Sequence, residues 1–182
     1  MFLYRDPVKN IASFESLIGS LPKLLTLPFI TLMKENRLCG LAPDPMTEQK
    51  AMNDFTECLK EGDNQVLSII YYILKILCYL EGKCESNIIA HTIKYEDVIS
   101  NPKFELEKIV HFLNKQNDIV DYSSCLEAMN KDSQEKSEEL SKEKLASFKK
   151  KTPITQELVD KIDRYFSDYG LPPSRNFDSV FN

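Results

Sequence analysis

The first hydrophobic signal in the chain is Phe2-Leu3-Tyr4, a short apolar run halted by Arg5-Asp6-Pro7. Such a run reads as a core strand, and proline suits the first turn of a helix, where the amide hydrogen it lacks would have no partner anyway. Val8, Ile11, Phe14 and Ile18 then recur at helical spacing and can share a core face, whereas Lys9 and Ser13, four apart, lie on another. Gly19 and Pro22 are expected to end this helix.

Beyond it, Pro22, Pro28, Pro43 and Pro45 break up two apolar patches, residues 24–32 and 38–42, which suits an irregular connection or short helices. Residues 46–61 read as a helix, 62–64 as a break, and 65–81 as a long helix apolar on more than one side, with Gly82 as its cap. The run 88–95 is rich in β-branched residues and reads as a second core strand, with Glu96-Asp97 at its carboxyl end. Asn101-Pro102 opens another helix ending near Asn114, with Leu106, Ile109, Val110 and Leu113 as its apolar stripe.

Residues 131–151 mix lysines with acids and read as a solvated helix or loop. From Pro153 a last helix follows, striped by Leu158, Ile162, Tyr165, Phe166 and Tyr169. Gly170 stands where a left-handed C′ residue belongs, and Pro172-Pro173 prevents continuation. No internal repeat is present. Two strands separated by a long helical crossover, with a helix after each, predict a parallel α/β sheet of which only part is encoded here, since two strands alone make a poor sheet.

Composition narrows the functions open to such a domain. A chain of 182 residues, 42% of them hydrophobic, can bury a real core. Its formal net charge of −5 gives no bulk attraction for nucleic acid or an anionic membrane, so any anion site must be local. The five cysteines include no CxxC pair and have no histidine at ligand spacing, which points to reduced, structural thiols and to no metal. The most apolar stretch, residues 66–80, carries Lys75 and is shorter than the roughly 20 residues a membrane span needs. With no signal-peptide pattern at the first residues, a cytoplasmic location is expected, although a Golgi anchor could lie in an upstream segment.

In an open parallel sheet ligands gather at the carboxyl ends of strands, which singles out Arg5 after the first strand and Glu96-Asp97 after the second. Arg5 offers a planar fork of donors suited to a phosphate, and Ser13 could add a hydroxyl; a plain ion pair for Arg5 and a packing serine at 13 are the alternatives. His91 inside a strand and His111 inside an amphipathic helix are poorly placed as general bases.

Leu3-Tyr4-Arg5-Asp6-Pro7 followed by Ser13-Phe14 resembles the strand-turn-helix segment that holds the 3′-phosphate of the sulfate donor in sulfotransferases. Ile93-Lys94-Tyr95-Glu96-Asp97-Val98, Asn101-Pro102 and the residues from Glu105 to Leu113 are similar to that family's second recognisable segment, in the same order and spacing. The resemblance implies a partial P-loop-like three-layer α/β fold, helix-rich, with few parallel strands and flanking helices. It implies one incomplete domain over 1–182: strand and 3′-phosphate-binding helix (1–20), helical crossover (21–87), second strand and helix (88–115) and a C-terminal helical segment (116–182).

By the same resemblance, the co-substrate is 3′-phosphoadenosine 5′-phosphosulfate (PAPS), whose 3′-phosphate Arg5 and Ser13 would bind and whose adenine Tyr95 would lie near. Glu96 and Asp97 would hold the turn. The complete protein would transfer a sulfuryl group to a hydroxyl or amine of a small-molecule or carbohydrate acceptor, without a metal. The family's phosphosulfate-binding loop and its catalytic histidine lie upstream of the matched segments, and the five glycines of this chain form no Gly-rich loop to replace them, so no catalytic residue is assigned. The alternative is a noncatalytic nucleotide-binding or interaction protein derived from the same fold.

Overall fold

A computed structural model describes residues 2–20, 45–85, 91–113, 123, 124, 127 and 152–181. Packing divides the chain into two compact units, Met1–Arg5 with Ala90–Phe148, and Asp6–Ile89 with Lys149–Asn182. The apolar patches of 24–32 and 38–42, the charged run 131–151 and Pro22 lie outside the described residues.

The first unit holds a two-stranded parallel sheet of β1 (Phe2–Tyr4) and β2 (Thr92–Lys94), as the strand-crossover-strand pattern predicts. Phe2 pairs with Thr92, Leu3 with Ile93 and Tyr4 with Lys94, and the Phe2 amide donates to the His91 carbonyl at 2.9 Å. Of the expected 88–95 strand, β2 covers Thr92–Lys94, His91 and Tyr95 stand outside it, and residues 88–90 lie outside the described residues. The pairing partner of β2 ends at Tyr4, because Asp6-Pro7 already begins a helix, so β2 has nothing to pair with beyond Lys94. Tyr95 therefore opens α4 (Tyr95–Ser100) rather than closing the strand.

The Asn101 amide donates to the Asp97 carbonyl at 2.8 Å, and Pro102 at the first position launches α5 (Pro102–Phe112). Along α5, Leu106, Ile109 and Val110 are half-buried, while Leu113, at the C-cap where the stripe runs out, is exposed. The buried residue of this helix is Glu105, whose carboxylate is satisfied by Lys108 at 2.6 Å.

The second unit packs α1 (Pro7–Ser20), α2 (Pro45–Glu61), α3 (Asn64–Glu85) and α6 (Gln156–Asp168) around Ala51, Phe55, Cys58, Val66, Leu67, Ile70 and Leu74, with Phe14, Tyr165 and Tyr169 against them. α3 is apolar on several sides for this reason: Leu67, Ile69, Ile70, Ile73, Leu74 and Ile76 are all fully buried. α1 runs to Ser20, between the Gly19 and Pro22 expected to end it, whereas Gly82 does not cap α3, which runs to Glu85. A single interior glycine costs a helix only about 1 kcal/mol, and Lys83 and Glu85 are good helix formers.

Among the described residues, Gly62 and Gly170 are glycines that stop helices. Gly62, at φ 70°, lets the Asp63 amide fold back onto the Cys58 carbonyl at 3.0 Å. At the end of α6, Gly170 has φ 71° and donates to the Ser167 carbonyl, while the Leu171 amide reaches the Phe166 carbonyl at 2.8 Å. After Pro172-Pro173 the chain makes a 3₁₀ helix, Ser174–Phe181, that the sequence reading does not anticipate. Phe177 is buried there, its ring 5.3 Å from that of Phe166 and 5.6 Å from that of Tyr72.

Candidate functional site

Parallel register puts the residues that follow β1 and β2 at the same end of the sheet, its carboxyl end. Because Tyr4 is level with Lys94, Arg5 meets the start of α4. Its guanidinium carbon lies 5.1 Å from the centroid of the Tyr95 ring, and its Nε lies 3.6 Å from Oε1 of Glu96. The cation thus has an aromatic face on one flank and a carboxylate on another. The Arg5 side chain remains 36% exposed and that of Glu96 27%, although the facing Nε and Oε1 atoms are themselves shielded from solvent. A guanidinium in this position can make charge-assisted, bidentate contacts to a phosphate.

Ser13 stands in the second turn of α1, half-buried. Asp6 caps α1: its Oδ1 accepts from the Lys9 amide at 2.9 Å and its carbonyl accepts from the Asn10 amide at 2.9 Å. Ile11 and Ala12 are buried, and so is Ser16, whose hydroxyl donates to the Ala12 carbonyl at 2.7 Å and accepts from the Thr152 amide at 2.8 Å. Ser16 therefore has a packing role. Arg5 and Tyr95, two of the three residues singled out in the sequence, are brought together in one unit; Ser13 belongs to the other.

The sequence reading assigns Glu96 to the turn and misses it as the counter-charge of Arg5. The available signal was the strand register: two parallel strands ending level place the next residues of each chain segment side by side. Asp97 does hold the turn, its carbonyl accepting from the Asn101 amide and from the Ser100 hydroxyl at 3.1 Å.

His91 stacks on Phe112 with ring centroids 5.1 Å apart, and with Phe104 and the exposed His111 it lines an open groove of about 450 Å³. Cys58 is a buried free thiol that donates to the Asp63 carbonyl at 2.6 Å; burial, followed by the nearby Asp63 charge, pushes its pKa up to about 11. A thiol so protonated is no nucleophile. Among the described residues no group of three or more His, Cys, Asp or Glu could hold a metal ion, and no helix is long and apolar enough to cross a membrane.

Neither the curated proteins nor the solved structures contain a match to the chain. A family model described as "Sulfotransferase domain", however, matches residues 1–175, a span that takes in β1 and β2, the Arg5–Tyr95 group and α6, and the chain belongs to that family.

Proposed function

We propose that this chain binds the 3′-phosphoadenosine end of PAPS, with Arg5 and Ser13 contacting the 3′-phosphate and Tyr95 beside the adenine. The observation that carries the proposal is the Arg5–Tyr95 contact of 5.1 Å at the carboxyl end of the parallel strands, which joins a phosphate-binding fork to an aromatic surface. The reading of Ser13 rests on the family resemblance and on its place in α1.

The reaction served would be sulfuryl transfer to a hydroxyl or amine of a small-molecule or carbohydrate acceptor. The acceptor oxygen or nitrogen attacks sulfur, the bond between sulfur and the phosphate oxygen breaks, and 3′,5′-diphosphoadenosine departs while the acceptor loses its proton. Catalysis in such a displacement rests on positioning and on stabilising developing charge. Arg5 would anchor the donor at a distance from the reacting sulfur. The phosphosulfate end needs backbone amides and a cation as well, and the scattered glycines of this sequence form no loop of that kind. Negligible transfer by the 182-residue chain alone is therefore expected.

Calorimetry with 3′,5′-diphosphoadenosine tests the binding step. Arg5→Ala should remove charge-assisted contacts worth about 1.5–3 kcal/mol. Equal affinity in the two proteins would take Arg5 out of the site, and robust sulfuryl transfer by the unextended chain would defeat the expectation of inactivity.

A further inference from the structure

Arg5, the residue read above as a phosphate ligand, faces the Glu96 carboxylate at 3.6 Å. We propose that Glu96 is a counter-charge that competes with phosphate anions for Arg5 and thereby sets the affinity of this site; the proposal rests on the reading of Arg5 as a phosphate-binding residue.

The geometry is that of an exchangeable pair. At 3.6 Å from Nε, Glu96 Oε1 lies beyond ordinary N–H···O distances of about 2.7–3.2 Å, so the contact is one of charge and not a locked hydrogen bond. The side chains are 36% and 27% exposed overall, but the facing Nε and Oε1 are shielded from solvent, so the Glu96 charge acts on Arg5 with less screening than at an open surface. Meanwhile the Tyr95 ring supports the guanidinium from another side by a contact that does not depend on Glu96. Losing the carboxylate's charge therefore leaves the arginine supported.

A phosphate dianion approaching Arg5 meets the Glu96 charge at short range. It must displace that carboxylate or sit beside it, and either costs affinity. In a chain of formal net charge −5 there is no general positive field to offset this, so the Glu96 charge beside Arg5 weighs directly on anion binding. Register makes the opposition a built feature: Tyr4 level with Lys94 fixes Arg5 beside the first turn of α4.

The test is titration calorimetry of the full chain, Glu96→Gln, Glu96→Ala, Arg5→Ala and the Arg5→Ala/Glu96→Gln double variant, with two probes, 3′,5′-diphosphoadenosine and inorganic pyrophosphate. Removing one like charge about 4 Å from the anion should tighten binding about fivefold in both Glu96 variants. The gain should grow as ionic strength falls and vanish in the Arg5→Ala background; a purely structural role for Glu96 would show no such salt dependence. Unchanged or weaker binding by both Glu96 variants, or a gain that persists without Arg5, overturns the proposal. Arg5-dependent nucleotide binding with no gain from Glu96→Gln sinks it while leaving the nucleotide reading intact. A gain with pyrophosphate alone supports the counter-charge and removes the nucleotide. Binding of neither probe by the native chain or by Glu96→Gln defeats both.

Discussion

Asp63 Oδ2 accepts a 2.6 Å hydrogen bond from Nζ of Lys161, while Oδ1 of the same carboxylate accepts from the Gln65 and Val66 amides at 2.9 and 3.1 Å. One side chain thereby caps α3 and ties it to α6, at the turn that Gly62 makes possible. Burial works to raise the Asp63 pKa, but the Lys161 hydrogen bond and charge and the two backbone amides more than offset it, and the net direction is down from 3.8.

Substitutions can separate the two roles. Asp63→Asn keeps an oxygen for the cap and loses the ion pair, at a cost of up to about 1 kcal/mol. Asp63→Ala loses both and should cost about 2 kcal/mol, measured by urea unfolding at pH 7. Because the folded-state pKa is depressed, this carboxylate's contribution is present above its ordinary value of 3.8 and is lost as the pH falls through the lower folded value. The gap between the native chain and Asp63→Asn should therefore close below about pH 4; a constant gap would show that the charge is not what Lys161 responds to.

Most of the helical unit was legible in the sequence because its signals are local. The α6 stripe of Leu158, Ile162 and Phe166 is buried as its spacing predicts, and the Thr155 hydroxyl caps the helix by accepting from the Leu158 amide at 3.2 Å. What was misread depends on partners remote in sequence. The end of β2 is decided by the length of β1 some ninety residues earlier, the Phe177 segment is held by Tyr72 and Phe166, and Glu96 gains its role only when register sets it beside Arg5. None of these leaves a mark in a window of ten residues. The family resemblance reached Arg5 and Tyr95 by matching segments, yet it could not show that the two touch.

Gly170 offers a clean measurement of a backbone cost. A Cβ built there has no atom within 4 Å, so Gly170→Ala introduces no clash, and the penalty comes only from holding alanine at φ 71°. That strain is worth about 1–2 kcal/mol. Thermal unfolding should show the loss, with the helical circular dichroism of the folded state unchanged. A variant as stable as the native chain would mean that the Ser167 and Phe166 carbonyls are satisfied in some other way.

Tyr95 can be tested for whether it acts through its ring or its hydroxyl. The contact with Arg5 is made over the ring face, 5.1 Å from the centroid, and the residue is 38% exposed. Phenylalanine presents a similar negative face and should preserve the pose of the guanidinium. Alanine removes the surface on which the guanidinium, and by our proposal the adenine, would rest. At an exposed site a cation–π contact is worth about 0.5–1 kcal/mol, so Tyr95→Ala should weaken 3′,5′-diphosphoadenosine binding at least about twofold to fivefold, while Tyr95→Phe stays close to the native chain. The Arg5→Ala background decides which partner the ring serves. If the Tyr95→Ala loss disappears there, the ring acts by positioning Arg5; if it persists in full, the ring meets the nucleotide itself. Equal losses in the Phe and Ala variants would assign the role to the hydroxyl and remove stacking as the reason that Tyr95 stands beside Arg5.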